Sequence, residues 1–491
     1  MKLLQLPWLE LAILVALSGS PLVGRVRDTN RAYAWGVSFT GLALACSFMA
    51  WLGYQLGVTE EMLRPWSLQR RVFGRTVLGL DAVNAPLVPA VALLHFLVAG
   101  ATSRTSMRVF SLSWSLAAEA IRLATFAAED TWVLVALLAT STVPPYVELV
   151  NRRRPTRLYL IHMGVFVALL VMGRALLGVG GSPSGAASWW AILPLAAAVL
   201  ILCGTVPAHC WVTDWFEHAS LGIAILTVAP LAGVYAAVRL VLPVAPGWVL
   251  GAIALASVLS ALYTSALATV QQDTRRFFAL LSVSLSALVL VGIGLHTDLT
   301  ICAGLCLWFS AILSLGGFGL TLRAIEARLG RLSLASFHGL YEHTPMLAIF
   351  FLITGLASVG FPATIGFIAL ELLVDGAVDA NLLVGVGIVI ASAFNGIAVL
   401  RAYFHLFTGA RHVSTVFLGI GLRERVAVLT LSALILGGGV FPQPGVTSRE
   451  LAARAILEGR RQLGFAVSID HEPKPATPPH HDPTAPPPAS R

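Results

Sequence analysis

The chain has 491 residues, of which 57% are hydrophobic and 11% charged, with 32 Lys and Arg against 24 Asp and Glu for a formal net charge of +8. So few charges cannot cover a soluble globular surface, so the composition excludes a soluble enzyme and reads as a polytopic membrane protein. With roughly 20 mainly apolar residues needed per spanning helix, the pattern predicts an all-α membrane domain of about fourteen transmembrane helices.

The first predicted helix, 4–24, follows Lys2 and ends near Ser18-Gly19-Ser20, as a signal peptide would. Glu10 inside it and Arg25, Arg27 and Arg31 after it favour a retained helix. Helices follow near 33–57 and 85–103, so that 1–105 forms an N-terminal unit. Residues 106–244 hold five more, near 107–128, 131–150, 158–180, 187–206 and 218–242, and 245–410 another five, near 247–270, 277–296, 299–322, 345–376 and 381–408. The unit 411–464 carries a last helix near 425–441 and an amphipathic segment, 448–463, in which Arg449, Arg454, Arg460 and Arg461 alternate with Leu451, Ile456 and Leu457. The Pro- and His-rich tail 465–491 cannot pack a helix or strand and reads as disordered, with His480 and His481 as solvated side chains.

Arginine distribution sets the topology. Arg25, Arg27 and Arg31, Arg152, Arg153, Arg154 and Arg157, Arg275 and Arg276, and Arg323, Arg328 and Arg331 all fall in odd-to-even loops, while Glu129, Asp130, Asp298, Asp375 and Asp379 fall opposite. By the positive-inside rule the first set is cytoplasmic and both termini are extracytoplasmic, in the inner membrane of a prokaryote. Arg64, Arg70, Arg71 and Arg75 are an exception, in a loop long enough to be translocated regardless of charge. The positive charge is thereby topological and gives a nucleic-acid partner no support. The five cysteines form no CxxC pair, and no Gly-rich phosphate loop occurs, so no metal, disulfide or cofactor site is expected in this chain.

Two places put polar groups and helix breakers where hydrocarbon tolerates neither alone. One is Pro207-Ala208-His209-Cys210-Trp211-Val212-Thr213-Asp214, after the seventh helix; the other is Gly360-Phe361-Pro362, within a segment, 345–376, too long for one simple crossing. A break frees backbone groups that can hold water, as an ion path requires.

Pro207-x-His209-x-Trp211-x-x-Asp214, Gly233-Val234-Tyr235-Ala236-Ala237-Val238-Arg239, and Gln271-x-Asp273-x-Arg275-Arg276-x-x-Ala279-x-x-Ser282 occur in that order, followed by Leu356 to Pro362, Gly366-Phe367-Ile368 and Arg401-Ala402-Tyr403-Phe404. This run resembles the antiporter-like proton-translocating membrane subunits of respiratory complex I (NADH-quinone oxidoreductase) and of Mrp cation/proton antiporters, nearest the M-type subunit. The resemblance implies two inverted five-helix repeats, helices four to eight and nine to thirteen, with discontinuous helices seven and twelve. It implies a subunit that is not itself catalytic, with other membrane subunits as partners and protons or monovalent cations as cargo. NADH, quinone, flavin and iron–sulfur clusters would then be handled only by those partners.

The resemblance also implies a chain of ionisable groups: a glutamate in helix five, a lysine in each of helices seven and eight, and a lysine or glutamate in helix twelve. Those positions fall here on Thr140, Leu202, Leu231 and Leu370. None can carry a proton charge, and the only lysines are Lys2 and Lys474, one near each end of the chain. Arginine, with a pKa above about 12, does not substitute as a relay. The remaining proton-path candidates are Glu371 with Asp375 one turn on, His209 and Asp214 at the first break, Glu119, Arg239, Arg275 and Arg401.

Structural readings stand beside these. Glu119 and Arg122, at i,i+3, suit a neutralising pair; Arg174 needs a partner; Arg239 and Arg401, with His405, can snorkel; His209 can satisfy the broken helix; Trp211 suits interfacial packing; and Glu148 suits a salt bridge with Arg152. Three functional readings follow: a conducting subunit of a complex I-like or Mrp-like assembly, a non-conducting structural subunit, and the membrane half of a proton-coupled bicarbonate-uptake pair.

The arginine distribution generates a topological prediction. A reporter fused after Asp470 should show extracytoplasmic activity, and a cytoplasmic signal would mean that the helix count is wrong by one.

Overall fold

The computed structural model describes residues 6–58, 67–102, 110–179, 189–409 and 419–464. The tail, with His480 and His481, lies outside the described residues. Those residues are almost wholly helical, with two isolated β-bridges, Leu78 to Ala128 and Asp273 to Ser333.

Helix lies at each of the expected segments. Helices α1 (Trp8–Arg25) and α2 (Thr29–Gln55) pair through a short turn in which the Asp28 side chain accepts from the Asn30 amide. A short α3 (Leu68–Phe73) precedes α4 (Leu87–Gly100) and α5 (Leu112–Ala127), and α5 packs on α1. The fifth expected helix is split into α6 (Thr131–Thr140) and α7 (Val143–Asn151), because Pro144 and Pro145 open α7 without amide hydrogens to donate. Asp130 caps α6: amides of Val133 and Trp132 and the Arg75 guanidinium, 2.9 Å away, hold its carboxyl below the usual carboxylate range.

Helix α8 (Arg157–Val179) packs on α9 (Trp189–Leu202), and α10 (Cys210–His218) follows after a seven-residue break, 203–209. The eighth expected helix is also broken, into α11 (Leu221–Val228) and α12 (Ala232–Ala236), which runs on into a π turn, Ala237–Val241. This second interruption was not expected from sequence. Then come α13 (Gly247–Val270), α14 (Thr274–Leu295) and α15 (Asp298–Leu329), the last longer than expected at 32 residues. The 345–376 segment divides, as expected, into α16 (Pro345–Ser358) and α17 (Ile365–Ala380), before α18 (Leu382–Phe407), α19 (Leu422–Val440) and α20 (Gln443–Gln462).

Nine helices are long and apolar enough to cross a membrane among the described residues, or ten if α19 and α20, bent by 79°, form one broken span. Helices α4, α9 and α16 are apolar but shorter. Burial separates centre from periphery: 94% of the apolar stretch of α14 is buried against 22% of that of α8. A helix apolar all round must be enclosed by others, and α14 and α15 are the packed axis of the bundle. Many large apolar residues are exposed, among them Trp248, Leu259, Leu383 and Val389, as a lipid-facing surface requires.

The amphipathic segment folds as predicted but begins earlier. Helix α20 lies across α15, and Arg449 donates to the carbonyls of Ala82 at 2.8 Å and Val83 at 3.0 Å, while Arg460 donates to those of Leu242 and Ala245. Its buried arginines therefore tie the turn before α4 to the end of the π turn.

Close backbone approach fixes the α16–α17 break. A Cβ on Gly366 would stand 2.5 Å from the Ala357 carbonyl oxygen and 3.0 Å from the Ser310 hydroxyl. Gly366→Ala should lower stability in detergent by about 1–3 kcal/mol. Gly251→Ala, with nothing within 4 Å of the new Cβ, should instead raise stability slightly, by about 0.5–1 kcal/mol.

Candidate functional site

The two breaks near residues 203–209 and 229–231 face each other. A Cβ on Gly233 would meet the Cys203 sulfur at 2.4 Å and the Cys203 amide nitrogen at 3.0 Å, so α12 lies directly against the end of α9. Both breaks expose backbone groups, and several of these find specific partners. The Val206 amide donates to Ser260 at 3.0 Å, and the Trp211 indole donates to the Ile201 carbonyl at 2.8 Å. In the other break Leu231 has a left-handed backbone, φ 51°, and its amide turns to the Val228 carbonyl. That leaves the Thr227 carbonyl without its regular i+4 donor, and the Arg122 guanidinium takes it at 3.3 Å. The Pro230 carbonyl is taken by the Trp308 indole at 3.0 Å.

Helix α10 ends on Arg275. Its Nη1 donates to the carbonyls of Ala219 at 2.8 Å and Phe216 at 3.0 Å, and its Nε donates to Glu326 at 2.7 Å, so one guanidinium caps α10 and pairs with the end of α15. Asp273 caps α14 through the amides of Arg275 and Arg276, and Arg276 pairs with Glu217 at 2.6 Å. Arg401 caps α13 in the same way, through the carbonyls of Thr269 at 2.8 Å and Gln271 at 2.9 Å. The signature arginines are thus helix caps and ion-pair partners. Arg239 also departs from the snorkelling expected of it: it meets Asp81 at 2.6 Å and lies over the Tyr235 ring.

A cavity of about 40 Å³, room for a few waters, opens between the two breaks. Leu202 and Leu231 both line it, beside Arg122, Tyr159, Thr227 and Ser286. The two leucines at the expected lysine positions therefore share one space. Thr140 is exposed near the end of α6, with its hydroxyl turned back to the Ala136 carbonyl at 2.7 Å.

At the α16–α17 break Leu370 folds back: a Cβ on Gly360, whose φ is 79°, would meet Leu370 at 2.7 Å. Glu371 and Asp375 lie on the opposite, exposed side of α17, with no ion pair among the described residues. The structure does not bring Glu371 together with the first site. His209 sits half-buried against Tyr263, edge to face, with its Nδ1 buried and unbonded, and does not satisfy the broken helix through that nitrogen. Asp214 meets His218 at 3.2 Å.

Glu119 and Arg122 do not pair, despite their spacing. Glu119 is fully buried with neither carboxyl oxygen bonded, and Arg122 reaches instead to the carbonyl that the α11 break releases. Glu148 does meet Arg152, at 3.7 Å, and also accepts from the Ser220 amide. Arg174 finds Thr131 at 3.0 Å and the Trp132 ring. Trp211 is buried, 5% exposed, and meets Tyr159 edge to face, where interfacial packing was expected. Sequence reasoning missed His95, which is 1% exposed in α4 with neither ring nitrogen bonded. A histidine in the middle of an apolar run was its only signal. Among the described residues no cluster of three or more His, Cys, Asp or Glu could hold a metal.

Removing the Arg275 cap should be costly. Arg275→Leu leaves Glu326 and two carbonyls without donors, a loss of about 3–5 kcal/mol, readable as a collapse in yield and thermal stability. Arg276→Ala, on an exposed pair, should cost about 0–1 kcal/mol.

Residues 161–395 match the family described as NADH:quinone oxidoreductase/Mrp antiporter, transmembrane. NADH-quinone oxidoreductase subunit 13 of Thermus thermophilus is 27% identical over 437 residues, 83% of this chain and 91% of that one. Subunit M of Pseudomonas aeruginosa is 26% identical over 57% of this chain and 55% of its own length. Among solved structures, a chain of the Mrp complex from Dietzia sp. DQ12-45-1b superposes with a TM-score of 0.77 at 19% identity, over 94% of this chain and 99% of that one. A chain of respiratory complex I from Thermus thermophilus with bound NADH does so with 0.77 at 22% identity, over 92% and 99%. The fold is therefore shared over nine-tenths of the length, and residues 161–395 match the NADH:quinone oxidoreductase/Mrp antiporter transmembrane family.

Proposed function

We propose that the chain is an integral subunit of a multi-subunit, complex I-like or Mrp-like membrane assembly in a prokaryotic inner membrane, with other membrane subunits as its partners. In this reading the shorter helices α4, α9, α16 and α5 also cross, giving fourteen crossings, with 106–244 and 245–410 as the two inverted repeats and both termini extracytoplasmic. NADH, quinone, flavin and iron–sulfur chemistry belongs to partner subunits, and this chain's share is the membrane path and its coupling.

One observation carries the finer reading: Leu202 and Leu231, at the positions where the resemblance expects lysines, line the same small cavity, and residues 6–464 contain no lysine at all. A switch made of amines that gain and lose protons is therefore not built into the first repeat. The second repeat keeps carboxyl groups. Glu371 and Asp375 face outward from α17, and a carboxylate turned to lipid costs on the order of 2.5–3.5 kcal/mol at the bilayer centre. A neighbouring subunit covering that face removes the cost and gives Glu371 a proton partner.

The competing reading is a non-conducting structural subunit, favoured by the replacement of all four ionisable positions, Thr140, Leu202, Leu231 and Leu370. The bicarbonate-uptake reading rests on fold-level analogy alone. Glu371→Gln separates the first two, because glutamine keeps the volume and removes the titration. In proteoliposomes holding the intact assembly, the conducting reading expects ion transport per turnover to fall about tenfold or more. Unchanged transport with full assembly would assign the chain a structural role.

A further inference from the structure

A second small cavity, about 20 Å³, adjoins the first, and the two share Arg122, Ser141 and Thr227 in their walls. It is space for one water-sized particle. His95, Ser115 and Arg122 also line it, and all three are at least nine-tenths buried, at 1%, 3% and 7% exposure. Neither ring nitrogen of His95 is bonded, and neither is the Ser115 hydroxyl. Arg122 uses one N–H on the Thr227 carbonyl and forms no ion pair among the described residues. The Ser141 and Thr227 hydroxyls already donate, to Leu138 at 2.7 Å and Ile223 at 2.8 Å.

The donor inventory is one-sided. A guanidinium, an imidazole and a hydroxyl surround the cavity, and no Asp or Glu lines it. Glu119, one turn from Arg122 on α5, is buried, yet its oxygens bond to nothing and it does not line this space. A buried cation without a counter-charge is strongly unfavourable, by several kcal/mol per ion in real proteins. A water molecule would bond the donors and leave the charge uncompensated. A monatomic anion does both in a space of this size.

We propose that His95, Ser115 and Arg122 form a buried binding site for a small monatomic anion, chloride in cells, which neutralises Arg122 beside the cavity lined by Leu202 and Leu231. The site goes beyond the transport reading and does not depend on whether the chain conducts. A halide there also explains why the guanidinium need not pair with Glu119.

The test is binding of radiolabelled chloride to the purified full-length chain within its membrane assembly, by scintillation proximity, with gluconate as the background anion. Saturable binding that bromide competes for is expected. Arg122→Gln should weaken it about tenfold or more, and Ser115→Ala about threefold, while Glu119→Gln leaves it unchanged. Should Arg122→Gln fail to assemble, His95→Leu and Ser115→Ala keep the cation and must each weaken binding. Absence of saturable binding to the assembled wild type overturns the proposal, as does binding that Ser115→Ala and His95→Leu both leave intact. Loss of binding in Glu119→Gln would overturn it too, by making the carboxyl part of the site.

Discussion

Inside a bilayer each backbone amide and carbonyl needs a partner within the protein, and this chain repeatedly breaks its helices where that demand is hardest to meet. The rest of the architecture follows from how the freed groups are satisfied. Val206 turns to Ser260, the Ile201 carbonyl to Trp211, the Pro230 carbonyl to Trp308, and the Thr227 carbonyl to Arg122. Each partner comes from a different helix, so the breaks bind α5, α9, α10, α11, α13 and α15 into one unit. Two buried indoles, Trp211 and Trp308, supply a single, stiff donor where a helix end needs one.

Arginine does the remaining capping. Arg275 covers the end of α10, Arg401 that of α13 and Arg460 the end of the π turn, while Arg449 takes the carbonyls of the turn before α4. A guanidinium offers five donors in a plane, keeps its charge, and suits the negative end of a helix dipole. Lysine, a point charge that loses its proton when buried, would serve these positions poorly. These helix ends are therefore held by guanidinium groups rather than by amines.

Much of this was legible in the residues. Composition required a membrane protein, Pro207 and Gly360-Phe361-Pro362 marked two breaks, and the signature motifs identified the relatives. The break at Leu231 was not legible, because a leucine in left-handed backbone leaves no trace in hydropathy; Pro230 beside it was the only local hint. The split of the fifth helix before Pro144 and Pro145 was available from proline chemistry and was masked by the apolar run around it.

By itself the sequence determined class, helix spacing, two of the helix breaks and the absence of lysine between the ends, because those depend on side-chain chemistry and chain-local periodicity. Tertiary packing alone decided which polar groups meet. Spacing put Glu119 and Arg122 on one face of a helix, yet a carbonyl released a hundred residues away, at Thr227, competes for the guanidinium and wins. It likewise brought Leu202 and Leu231 into one cavity, set His95 beside Arg122, and turned Glu371 away from the bundle. Such pairings depend on which helices neighbour each other and on which backbone groups their breaks leave unsatisfied, and neither is written in local pattern.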